Sequence, residues 1–166
     1  MICLIFRSTL FQLVVCYNTI EERKPHDIIK STMIQELRTI GDTNNLDNLI
    51  DSILKHTADK LAFTSEKCSV DPHEMTISPK TNCVGYANYF VSVFNELSET
   101  KNHHWRAVAC RGEIHFLGIN VHQYFKSGFL QDHDFVKITD RKLKTTIIVD
   151  PSLFDYTGID RVSACD

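Results

Sequence analysis

The sequence predicts an α+β domain, with helices first and an antiparallel β-sheet after them. Three observations carry this. Apolar residues recur at helical spacing between residues 28 and 97. From residue 105 to 149 the chain turns rich in β-branched and aromatic residues, several of them alternating. Short polar or glycine-containing links separate those runs, which is how antiparallel neighbours are joined. With 166 residues, 43% of them hydrophobic, the chain can bury the core of one ordinary domain.

The start of the chain, MICLIFRSTLFQLVVCYN, is mostly apolar, but Arg7 interrupts it and no basic stretch precedes it. It is short for a membrane span. Leu13-Val14-Val15-Cys16 resembles a bacterial lipoprotein cleavage box, with Val15 where a small residue is usual. Two readings follow. One is an export or lipid-anchor leader that would tether the protein to a membrane through Cys16. The other is a first strand or helix packed on the domain. Residues 21–24 turn charged and Pro25 follows, so the expected division is an apolar leader over residues 1–20 and a domain over residues 21–166. Localisation stays open between export and the cytoplasm.

Pro25 suits the first turn of a helix. Ile28, Ile29, Met33, Ile34, Leu37 and Ile40 extend it, and Gly41 stops it. Thr43 or Asn44 is expected to cap a second helix with Leu46, Leu49, Ile50, Ile53, Leu54 and Leu61 on its apolar stripe. Both helices read as scaffold. Residues 63–80, with Pro72 and Pro79, lack a period and read as a long loop of the kind that borders active sites. A third helix begins at Cys83 and buries Ala87, Phe90, Val91, Phe94 and Leu97, with Thr81 or Asn82 as its cap. Strands are expected over residues 105–110, 113–125, 135–139 and 145–149.

A net charge of −3 and the lack of a long basic run argue against a nucleic-acid partner. None of the six cysteines forms a CxxC, which disfavours a zinc ribbon or a thioredoxin-type site and leaves the redox compartment open. Cys110, His115, His122 and His133 match no common zinc spacing, so neither metal nor cofactor is expected. His103 and His104, just before Trp105, read as solvated turn residues.

The stretch TNCVGYANYF sets a thiol in the first turn of a helix. A cysteine there is commonly a small buried hydrophobe. The unpaired amides of that turn also favour a thiolate, and one of them can stabilise an oxyanion. A thiol nucleophile needs a base, and the base an orienting partner. QDHDFVKI puts His133 at the head of one strand, and TTIIVDPS puts Asp150 at the tail of the next. If the two are antiparallel neighbours joined through residues 140–144, His133 and Asp150 meet at one edge. Asp132 and Asp134 flank the histidine and would raise its pKa.

In that order, NCVGYA, HDFV and VDPS resemble the transglutaminase-like cysteine-enzyme superfamily, over about half the chain. Thr81 stands where that family usually has Gly, and Cys110 where its R-x-V-x-G strand ends in Gly. The resemblance implies a papain-like α+β core with Cys83 as nucleophile, His133 as general base and Asp150 as the orienting carboxylate. Asn82 would take the positioning role of an upstream oxyanion donor. The implied activity is acyl transfer on a peptide or protein substrate, hydrolytic as in a peptidase or amidase, with transpeptidation to an amine as its variant. The rival reading is a fold that has lost catalysis and serves as a protein-binding module.

Overall fold

The computed structural model describes residues 9–24 and 44–165. The first expected helix, over residues 25–41, lies outside the described residues. A helical stretch at residues 9–14 leads into β1 (Val15–Glu22). Then come α1 (Leu46–Lys60), β2 (Ala62–Phe63), α2 (Pro72–Met75), β3 (Lys80–Thr81) and α3 (Cys83–Thr100). The second half holds β4 (Trp105–Phe116), β5 (Ile119–Asn120), β6 (His133–Asp140), β7 (Thr145–Val149), α4 (Pro151–Thr157) and β8 (Ser163–Ala164). The main sheet runs β7-β6-β4-β1-β8, with β5 paired to the end of β4. The class is α+β as expected. The sheet is antiparallel except where β8 runs parallel to β1.

Strand alternation sorts the sheet into two buried faces. Ala107, Ala109, Val136, Ile138 and Val149 face one way and pack on Leu49, Ile53 and Leu54 of α1 and Phe90, Phe94 and Leu97 of α3. Tyr17, Cys110, Phe135 and Ile148 face the other way, beneath Ile159 and Val162 from the C-terminal segment. Packed between the sheet and α1, α2 and α4, α3 is buried nearly all round. Its buried polar residues are matched. Asn95 donates to the Ala107 carbonyl at 3.0 Å and accepts from the Ala107 amide at 2.9 Å, and Ser98 donates to Trp105 O at 2.8 Å. These bonds fix α3 along β4 and so fix where its N-terminus points.

Several local expectations shift. Asn45 caps α1, its side chain accepting from the amides of Asp47 and Asn48, because it stands directly before the first helical residue. The loop over residues 63–80 contains α2, and its two ends pair as β2 and β3. The strand expected to start at residue 113 is continuous with the one before it: β4 runs through Gly112 to Phe116. The chain turns after β5 and forms 3₁₀ turns at Val121–Tyr124 and Gly128–Leu130, so His122 is not on a strand.

The boundary expected after residue 20 falls inside β1. Residues 15–22 pair with β4 from Val15↔Phe116 to Glu22↔Cys110, and Cys16 and Tyr17 pair with β8 on the other side. Hydrogen bonding on both edges makes β1 an interior strand, so residues 15–20 are part of the domain here. Cys16 forms a disulfide with Cys165. One sulfur cannot hold both that bond and a lipid thioether. Among the described residues, no helix is long and apolar enough to cross a membrane.

Candidate functional site

The expected strand pair forms in the expected register. Val136 lies opposite Val149 and Asp140 opposite Thr145, with residues 141–144 as the turn. His133 at the head of β6 therefore meets Asp150 just beyond β7, and the imidazole Nε2 lies 2.7 Å from Asp150 Oδ2. Asp150 also caps α4, which the sequence reading did not anticipate. Its Oδ1 accepts from the Leu153 amide at 3.0 Å and from the Ser152 hydroxyl at 2.8 Å. Pro151 at the first helical position explains the abrupt change from strand to helix.

Cys83 opens α3 and is 8% exposed. Asn82 is the N-cap: its Oδ1 accepts from the amides of Val84 and Gly85. With Tyr86 N bonded to Asn82 O, the amide of Cys83 itself is the one in this turn that the cap does not take. The Asn82 carboxamide oxygen is committed to the helix, so only its Nδ2 hydrogens are available to an oxyanion. Thr81, in the place of the family's usual glycine, is buried and donates to Ser69 O at 2.8 Å, tying the preceding loop to the helix start. The helix compensates at Gly85. A Cβ there would stand 1.8 Å from Thr81 Oγ1.

Cys83 stands close enough to His133 to favour the charged imidazole. Nε2 faces Asp150, so Nδ1 is the ring nitrogen left for the thiol. The His133 side chain is 19% exposed and that of Asp150 1%. Burial works against a charged His133. The Asp150 carboxylate and its hydrogen bond outweigh that, with a further contribution from Cys83, and His133 titrates well above the ordinary histidine range. For Asp150, burial alone would raise the pKa. The facing His133 and the hydrogen bonds from His133, Leu153 and Ser152 reverse it, and the carboxyl is held below its usual range.

Tyr17, within the apolar stretch that reads either as a leader or as a packed strand, completes this site. Its hydroxyl donates to Asp150 Oδ2 at 2.8 Å. Its ring packs edge-on against His133 at 6.1 Å and against Phe135 at 5.1 Å. The signal in the sequence was the alternation of Val15 and Tyr17, both buried on one face of β1. Ser152, the other missed partner, sits in the VDPS motif itself.

The remaining candidates disperse. Asp134 pairs with Arg23 through both carboxylate oxygens, and Asp132 lies 3.8 Å from Arg111. The acids beside His133 thus have arginine partners of their own. His115 faces Glu113, and His122 Nδ1 donates to Leu130 O at 2.8 Å. Cys110 is buried in the core, and burial pushes its thiol up to about 11, as expected of an inert cysteine. His103 stacks on Trp105, and His104 lies 3.2 Å from Asp140. No protein-family model matches the chain, and no curated protein or solved structure matches it either.

Proposed function

We propose that the protein is a thiol-dependent acyl-transfer enzyme in which Cys83, His133 and Asp150 form a catalytic triad. The observation that carries this is the grouping at the N-terminus of α3: Cys83 beside His133, and His133 Nε2 2.7 Å from Asp150 Oδ2. A cysteine from one helix and two residues at the ends of neighbouring strands stand in the order that nucleophile, base and orienting carboxylate require. The fold reading that goes with it is a papain-like core of the transglutaminase-like kind. A cysteine opening α3, a histidine heading β6 and an aspartate following β7 support it.

In this reading the thiol passes its proton to His133 Nδ1, and the thiolate attacks an amide carbonyl. The C–N bond breaks as Nδ1 returns the proton to the leaving amine, and a thioester remains on Cys83. Water, deprotonated by the now neutral imidazole, attacks the thioester. The carboxylic acid leaves and the starting pair is restored. The Cys83 amide and Asn82 Nδ2 are the donors proposed for the oxyanion. A peptide or protein substrate with water as acceptor makes the enzyme a peptidase or amidase. An amine as acceptor makes it a transpeptidase.

The 8% exposure of Cys83 favours a second reading, a protein-binding module that retains the triad without turnover. The rate of Cys83 alkylation by iodoacetamide against pH separates the two. For the enzyme, Cys83 reacts well below the free-thiol range near pH 8.5, and His133→Ala abolishes that low-pH reaction. A Cys83 that reacts like a free thiol, or not at all, whatever stands at 133, overturns the catalytic proposal.

A further inference from the structure

We propose that Tyr17 is a positioning residue of this site: its hydroxyl holds Asp150 Oδ2 against His133 and sets the pH at which the histidine gives up its proton. The inference rests on the triad reading. It adds a fourth residue, brought from the far end of the chain.

Two donors share one oxygen. Asp150 Oδ2 lies 2.7 Å from His133 Nε2 and 2.8 Å from the Tyr17 hydroxyl, while Oδ1 is taken by Ser152 and Leu153. With donors on both oxygens, the carboxylate cannot rotate without breaking bonds. A second donor on Oδ2 also withdraws electron density from the bond to His133, so the imidazolium is held less tightly than a singly bonded carboxylate would hold it. Tyr17 is 2% exposed, and burial first, then the nearby Asp150, keep its phenol protonated far beyond the ordinary range. It is therefore a constant donor.

The fold delivers this residue with care. Tyr17 lies on β1 and His133 on β6, with β4 between them. Gly112, paired with Thr19 on one side and His133 on the other, leaves the room. A Cβ at Gly112 would meet Asn18 O at 2.0 Å and the Phe135 ring at 2.8 Å. The C-terminus clamps the same point: Cys165 N donates to Tyr17 O at 3.0 Å, beside the Cys16–Cys165 bond.

Other charged groups also surround His133: Cys83 from α3, Asp134 beside it with its partner Arg23 just after β1, and Asp132 with Arg111 of β4. None of them changes in Tyr17→Phe, which keeps the ring and removes only the donor.

The test is the NMR titration of the His133 ring in the intact oxidised protein, run beside the Cys83 alkylation profile. In Tyr17→Phe the His133 midpoint should rise by roughly half to one pH unit, since Asp150 then gives its Oδ2 to the histidine alone. Site-specific 3-fluorotyrosine at position 17 is a stronger donor of nearly the same shape, and should move the midpoint down. It also serves if the phenylalanine variant fails to fold. A Tyr17 that merely packs would lower the melting temperature and leave both midpoints where they are, and that result overturns the inference. If the midpoints move but wild-type Cys83 shows no low-pH reactivity, Tyr17 does set the histidine and the acyl-transfer proposal is what fails.

Discussion

Replacing both Cys16 and Cys165 with serine should remove a large part of the domain's stability. The two residues are 149 apart in sequence. Closing a loop of that length withdraws chain entropy from the unfolded state worth about 5 kcal/mol at 25 °C. Net stabilities of domains run to about 5–15 kcal/mol, so this is a major share. Part of it is recovered. β1 still has its ladder to β4 without the bond, and an uncrosslinked unfolded chain is more compact than the ideal one. A loss of about 2–5 kcal/mol is therefore expected. At a urea slope of about 2 kcal/mol per molar, that lowers the midpoint by about 1–2.5 M. The assay is urea unfolding followed by far-UV circular dichroism, without reductant so that the wild-type Cys16–Cys165 bond stays intact. Peptide mapping of the unreduced wild type should find the Cys16 and Cys165 peptides joined. A loss under about 1 kcal/mol with that linkage confirmed would refute the loop-entropy reasoning.

Gly112→Ala should destabilise by about 3 kcal/mol in the same assay, because the new methyl meets the backbone oxygen of Asn18, which cannot swing aside. An unchanged midpoint would mean that β1 and β4 separate there at little cost. Gly85→Ala should cost about 1–3 kcal/mol despite alanine's better helix propensity, since its Cβ strikes the Thr81 side chain. Adding Thr81→Gly should cost less than the two changes separately, and strict additivity would show that the contact is not the cause. The His133–Asp150 pair should shape stability against pH. Asp150, depressed in the fold, contributes above its unfolded value of about 3.9, and that contribution is lost as pH falls through the folded value. His133, raised in the fold, contributes fully below its unfolded value of about 6.5, and that is lost as pH rises through the folded value. Wild-type stability should therefore decline from about pH 6.5 upward, and Asp150→Asn should flatten that decline; parallel curves for the two proteins would contradict the coupling.

The contacts legible in the sequence were those that follow from local periodicity plus one turn. The α1 and α3 stripes could be counted along the chain. The meeting of His133 and Asp150 needed only two adjacent strands and the link over residues 141–144. The capping role of Asp150 was hidden, because a D-P after a strand reads equally as a strand end and as a helix start. β1 was ambiguous for a different reason. Its apolar residues match a leader as well as an interior strand, and what distinguishes the two is pairing with a segment about a hundred residues away. Pattern carries no record of such a partner. Gly112 shows the same limit: as a lone glycine it suggested a break between strands, whereas it marks the crossing where Tyr17 and Phe135 pack over β4.

This division has a consequence for the site. Cys83, His133 and Asp150 lie between residues 83 and 150, on α3, β6 and the β7–α4 junction. Those elements pack on one another through the cluster around Phe90, Phe94, Val136 and Val149, with no help from β1. The other face, with Tyr17, Phe135 and Val162, requires both ends of the chain. The elements that carry the nucleophile and base thus share a core formed without β1, and the tuning of the carboxylate belongs to one formed by closure of the whole fold. A destabilised β1 would leave the thiol beside the imidazole while freeing Asp150 Oδ2 of its second donor. Loss of the disulfide and loss of the Tyr17 hydroxyl should therefore move His133 in the same direction, the first through local opening and the second directly. Combining them should add little to the larger single shift, because both act through the same hydrogen bond.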